Sequence, residues 1–149
     1  MSSDGPDPFD LKRFVRAQEP DYKRALEEIA AGRKRSHWMW YIFPQFAGLG
    51  LSSTSRHYAI GSLDEARAYL AHPILGPRLI ECAGATLTVK GRSAHDIFGS
   101  PDDMKLRSSV TLFSLVSPEN SVFHRVLEKY FEGKGDERTL IFVSRSDRL

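Results

Sequence analysis

From Tyr22 the chain repeats apolar residues at three- and four-residue intervals. Tyr22, Ala25, Leu26 and Ile29 fall on one side of a helical projection, and Lys23, Arg24, Glu27 and Glu28 fall mostly on the other. The pattern predicts a helix that starts near Asp21 and stops at Gly32. A shorter helix is expected over Leu11 to Ala17, with Leu11, Phe14 and Val15 on one side and Glu19-Pro20 as the break. Ser62 and Glu65 have the spacing of a helix start. Leu63, Ala66 and Leu70 would form that helix's inner stripe as far as His72-Pro73. A longer helix should run from Pro73 or Ile74 to about Val89 and close at Gly91, because proline fits a first turn that needs no amide donor. Ser93 to Phe98 reads as a short turn or helix. Ser100-Pro101-Asp102-Asp103 combines a cap, a first-turn proline and first-turn carboxylates, and predicts a helix reaching about Val116. After Ser117-Pro118 another helix begins near Asn120 or Ser121 and carries Val122, Phe123, Val126, Leu127, Tyr130 and Phe131. Beyond Gly135 two outcomes stay open: a final helix capped at Asp136-Glu137, or a strand or docked extended segment over Thr139 to Val143.

The pattern predicts a mainly α fold, a compact single-domain helical array. A flexible N-terminal segment is expected over residues 1–8, where glycine and proline are dense. The helical domain would span 9–143 and a frayed C-terminal tail 144–149. With 149 residues, 41% of them hydrophobic, the chain can build one core but not two.

One segment breaks the amphipathic rule. His37-Trp38-Met39-Trp40-Tyr41-Ile42-Phe43-Pro44 is apolar all round, so the fold or a partner must cover it. A short helix ending before Pro44 is the favoured reading, followed by a glycine-rich turn through Gly48 and Gly50.

The net charge of +2 makes no general case for a nucleic-acid or membrane-surface protein. Its distribution says more. No Asp or Glu occurs from Ile29 through Leu63, while Arg33, Lys34, Arg35 and Arg56 all do. Such a stretch is either an anion-facing patch or a solvated collar around the aromatic run. The expected helix from Asp102 also carries charge in an unusual place. At 100° per residue, Asp102, Lys105, Ser108 and Ser109 share the arc of Met104, Leu106, Val110, Leu112 and Phe113, with Asp103, Arg107, Thr111 and Ser114 opposite. Shielded charges require partners, so a polar junction is expected there. Arg78 falls beside its own helix's apolar stripe and could pair with Asp102 or Glu81, or reach a ligand.

Other chemistry is thin. Cys82 is the only cysteine, which excludes an intrachain disulfide and a CxxC motif. The five histidines form no metal-ligand spacing, so no metal is expected, and no motif identifies a cofactor. Ser108 and Ser109 lack a nucleophile elbow, and Gly48-Leu49-Gly50 is not a dinucleotide fingerprint. No signal-peptide or membrane-span pattern is present, and the cytoplasm is the expected location.

Several runs carry a family resemblance. Phe14-Val15-Arg16-Ala17-Gln18, Ser36 through Gln45, Gly48-Leu49-Gly50, Tyr58-Ala59-Ile60, His72-Pro73, Ile97-Phe98-Gly99 and Ser108 through Phe113 are the main ones. Together they resemble an uncharacterised bacterial domain-of-unknown-function family with an HWMWxIFPQ-like motif, sometimes labelled calpastatin. The resemblance spans Phe9 to Leu140 and implies a compact helical fold. It supplies no activity and no catalytic residue, and Ile141 to Leu149 depart from the helical turn it leads one to expect.

The leading functional expectation is a small-molecule site for an anionic, nucleotide-like ligand. Its candidate residues are Arg33, Lys34, His37, Trp38, Trp40, Gln45, Arg78, Asp102 and Lys105. Trp38 or Trp40 would stack, His37 and Gln45 would hydrogen-bond, and Arg78 and Lys105 would neutralise charge. Asp102 would orient Lys105 or act as an acid or base. The alternatives are a protein-interaction module using the aromatic segment and, more weakly, a single-stranded nucleic-acid binder.

Overall fold

The computed structural model describes residues 5–146 and contains ten helices, with one isolated bridge between Phe46 and Ile60. The mainly α expectation holds. The Asp7 carboxylate accepts from the amides of Leu11 at 2.7 Å and Lys12 at 3.1 Å, starting α1 (Lys12–Gln18) from outside its first turn. Helix α2 (Tyr22–Ala30) ends where the sequence places its stop, at Gly32, which adopts a φ of 76°. The aromatic run forms only one turn, α3 (Met39–Ile42), before Pro44. Trp38, Met39, Ile42 and Phe43 enter the core, and Trp40 and Tyr41 stay half-buried.

Helix α4 (Ser53–His57) is not foreshadowed in the sequence. It is a surface turn of polar residues with no buried member, started by Ser52 accepting from the Ser55 amide. Without apolar residues it has no period to detect. Helix α5 (Leu63–Ala71) has Ser62 as its cap, as the spacing predicts. Ala66 and Tyr69 are its buried apolar residues, while Leu63 and Leu70 are only partly covered. The corner into α6 (Leu75–Thr88) is tight: a Cβ on Gly76 would lie 2.1 Å from the Leu70 carbonyl oxygen.

Ser93 and Asp96 close a capping box around α7 (Ala94–Phe98). Helix α8 (Asp102–Ser114) then runs through the centre, against α9 (Val122–Phe131), α7, α5 and α10 (Glu137–Ser146). Leu106, Val110, Leu112 and Phe113 are wholly buried on it, and Phe113 meets both Tyr69 and Phe123. Thr111, outward in the helical projection, is buried because α10 covers that side, and its hydroxyl accepts from the Asp136 amide at 2.9 Å. Met104, placed on the apolar arc, is 45% exposed.

The open question after Gly135 resolves as helix. Asp136 accepts from the amide and hydroxyl of Thr139 at 2.9 and 2.6 Å, and α10 buries Thr139 and Val143. That packing outweighs the strand preference of the local residues. Helix α10 continues through Ser146, past the expected start of the tail at 144, and residues 147–149 of that tail lie outside the described residues. At the other end, residues 5–8 are exposed, though Asp7 is tied to α1, and residues 1–4 lie outside the described residues.

Candidate functional site

Glu28 organises the approach to the site. It lies on the last turn of α2, and its two oxygens collect the Ser36 hydroxyl at 2.6 Å, the Arg35 amide at 2.8 Å, the Trp38 indole N–H at 2.9 Å and the Ser36 amide at 3.0 Å. Burial alone would raise its carboxyl, but hydrogen bonds from Ser36, Arg35 and Trp38 outweigh that and hold it at about 2. The Lys34 amide donates to the Ile97 carbonyl at 2.7 Å, which fastens the other side of the loop to α7.

The Lys34 side chain turns inward from this loop. Its Nζ lies 2.9 Å from Asp102 Oδ2, at the first turn of α8, and 5.0 Å from the centre of the Trp38 ring. Lys105, one turn along α8, approaches the other oxygen of Asp102 at 3.8 Å and lies 5.2 Å from the centre of the Trp40 ring. One carboxylate is thus shared by two ammonium groups, each facing an indole. The side chains of Lys34, Asp102 and Lys105 are 8%, 19% and 22% exposed, so the junction is partly shielded. Gln45 joins α8 one turn further on, donating to Ser108 Oγ at 2.7 Å, and Ser108 in turn donates to the Lys105 carbonyl.

The structure therefore brings Lys34, Trp38, Trp40, Gln45, Asp102 and Lys105 together. It corrects one proposed role: Trp38 has no exposed surface, so its ring cannot stack on a ligand. Arg33 and His37 are exposed on either side of the inward-turned segment. Arg78 belongs to a different cluster, because α6 lies along α2. It donates to Glu19 at 3.1 Å and Gln18 at 3.3 Å and lies over the Tyr22 ring, while Glu81 is taken by the Tyr22 hydroxyl. Burial pushes the Cys82 thiol up to about 12, so it is a poor nucleophile at neutral pH.

Two polar anchors escaped the sequence reading. Glu28 falls in the outward set of its helix, and its partners come from a loop with no period. Arg13 is the second. Its guanidinium reaches the carbonyls of Phe9, Asp10, His57 and Ala59 and pairs with Glu65 at 2.9 Å. A concavity of about 390 Å³ beside it is lined by Lys12, Arg16, His57 and Tyr58. All five Arg13 N–H groups are already spent on protein acceptors, so this positive hollow has no built anion clamp. A larger space of about 600 Å³ lies between residues 5–9, α1 and the α5–α6 corner. Among the described residues there is no group of three or more potential metal ligands and no helix long and apolar enough to cross a membrane.

Residues 8–143 match the family described as a protein of unknown function (DUF1810). Among solved structures, the chain is similar to the crystal structure of the conserved hypothetical protein Rv1873 from Mycobacterium tuberculosis. The two are 54% identical with a TM-score of 0.91, over 93% of this chain and 99% of that one. No curated protein matches. The calpastatin label attaches to neither match.

Proposed function

The chain belongs to the DUF1810 family, and we propose that it binds an anionic small molecule at the exposed edge of the Lys34–Asp102–Lys105 centre. One observation carries this reading: the two lysines are unequally committed. Lys34 is held by Asp102 at 2.9 Å and by the Ser36 carbonyl. The Lys105 ammonium makes no hydrogen bond among the described residues, and its contact with Asp102 is an ion pair at 3.8 Å. It keeps its donors for a ligand, over a half-buried indole that offers a planar surface.

Each residue then has a role. Lys105 neutralises the anion. Trp40 contacts a flat group such as a nucleobase. Gln45, whose amide N–H is taken by Ser108, presents its carbonyl oxygen as an acceptor. Lys34 and Asp102 position Lys105. The interaction-module alternative loses most of its surface, since Trp38, Met39, Ile42 and Phe43 are buried within the chain.

Isothermal titration of the full chain with adenosine monophosphate and with inorganic phosphate tests the reading. Lys105→Met should weaken nucleotide binding by at least about tenfold, equivalent to about 1.4 kcal/mol, with Trp40→Ala lowering it as well. If both anions bind parent and Lys105→Met equally, or bind neither, the reading fails.

A further inference from the structure

A cavity remote from the lysine centre carries a separate inference. Residues 5–9 pass beside α1 and the α5–α6 corner and border a space of about 600 Å³, within the range of small-molecule sites. Pro8, Phe9, Val15, Ala68 and Ile74 make its walls apolar.

Its polar groups are few and mostly committed. Both oxygens of Asp7 cap α1 through the Leu11 and Lys12 amides. Lys12 extends to solvent, 4.0 Å from Asp10. His72 differs. Its ring Nδ1 accepts from the amides of Ile74 at 3.1 Å and Leu75 at 3.2 Å, where α6 begins. Two N–H groups directed at Nδ1 require a lone pair there, so the neutral ring carries its proton on Nε2. The backbone thereby fixes the tautomer. The Nε2–H has no protein acceptor among the described residues, and His72 lines the cavity.

A fixed donor within apolar walls complements an apolar body that bears one acceptor. The Asp7 carboxylate lines the cavity, so a ligand carboxylate would share the space with a like charge. We infer that this cavity binds an uncharged, largely apolar small molecule whose carbonyl-type oxygen accepts from His72 Nε2–H. The site is independent of the anion centre and shares no residue with it.

The test is an NMR titration of the full chain, labelled with ¹⁵N on its histidine rings and backbone. Acetophenone serves as the carbonyl probe, ethylbenzene as the probe without an acceptor and benzoate as the charged one. Before any probe is added, the neutral His72 ring should show a protonated Nε2 and an unprotonated Nδ1. Acetophenone should then shift Nε2 and the amides of Val15, Ile74 and Leu75, and bind at least about tenfold more tightly than ethylbenzene or benzoate. His72→Ser keeps an oxygen acceptor for the Ile74 and Leu75 amides but carries no ring N–H reaching the cavity, and should lower acetophenone affinity about tenfold. Val15→Trp adds bulk to the cavity wall on α1 while leaving residue 72 a histidine, and should abolish binding even if the first variant is unstable. A proton on Nδ1, equal binding of ethylbenzene, or acetophenone shifts that survive Val15→Trp would each overturn the inference.

Discussion

Replacing Glu28 with Gln tests whether one carboxylate holds the loop that delivers Lys34. Four hydrogen bonds of 2.6 to 3.0 Å converge on it from Arg35, Ser36 and Trp38. The glutamine amide keeps one acceptor oxygen and turns an NH₂ toward groups that are themselves donors. The magnitude follows from the carboxyl's folded value of about 2, against about 4.3 in an unfolded chain. At 1.36 kcal/mol per unit the difference is about 3 kcal/mol. Because Glu28 is only half-buried, solvent screening reduces that to about 1–2 kcal/mol. With the mispaired amide added, Glu28→Gln should lose about 2 kcal/mol at pH 7, a fall of about 4–8 °C in Tm for a domain of this size. The folded value is depressed, so the carboxylate's contribution is complete above about pH 4.3 and declines as pH falls toward 2. Urea denaturation should therefore show the gap between parent and variant narrowing by about 1–2 kcal/mol between pH 7 and about pH 2.5. A gap under about 0.5 kcal/mol at pH 7, or one that does not change with pH, would refute the reasoning.

The two lysines should respond differently to removal. Lys34→Met leaves Asp102 partly shielded with only its 3.8 Å partner and should cost about 2–4 kcal/mol, whereas Lys105→Met should cost about 0.2–1 kcal/mol; equal losses in chemical denaturation would contradict the assigned geometry. The hydroxyl of Ser109 is fully buried and has no hydrogen-bond partner among the described residues, so Ser109→Ala should be neutral or stabilise by about 1 kcal/mol, and a loss beyond about 1 kcal/mol would reveal a missing partner. Gly76→Ala places a methyl 2.1 Å from the Leu70 carbonyl oxygen and should destabilise by more than about 4 kcal/mol, an expectation that a Tm near the parent's would defeat.

The helices that bury one clean stripe were legible from spacing alone, and α2, which stops at Gly32, is the clearest case. The polar junction on α8 was legible for a related reason, since charges on an apolar arc must meet a partner. Its chief partner was not. Lys34 reaches Asp102 from a loop whose path depends on Glu28, and a projection of α8 alone points to Lys105, which proves the longer contact. Trp38 illustrates the limit of composition. An indole beside three basic residues suggests stacking, but its N–H is turned to Glu28 and its ring is sealed in the core against Phe98. Arg78 was expected to pair with Asp102 or Glu81 or to reach a ligand; its partners are instead Gln18 and Glu19 at the end of α1, which the packing of α6 along α2 brings near, and that packing is a tertiary fact. His72 shows the same gap: His-Pro marks a break in the chain, but only the folded corner brings the Ile74 and Leu75 amides to the ring.

The central claim concerns where an anion would be received, and the two tryptophans allow it to be read directly. Their indole N–H resonances in a ¹H–¹⁵N spectrum can be followed during titration with adenosine monophosphate. The account predicts a saturable shift of the Trp40 signal, little movement of the Glu28-bound Trp38 signal, and loss of the response in Lys105→Met. A Trp40 signal that stays still while nucleotide binds, or one that moves equally in Lys105→Met, would contradict it.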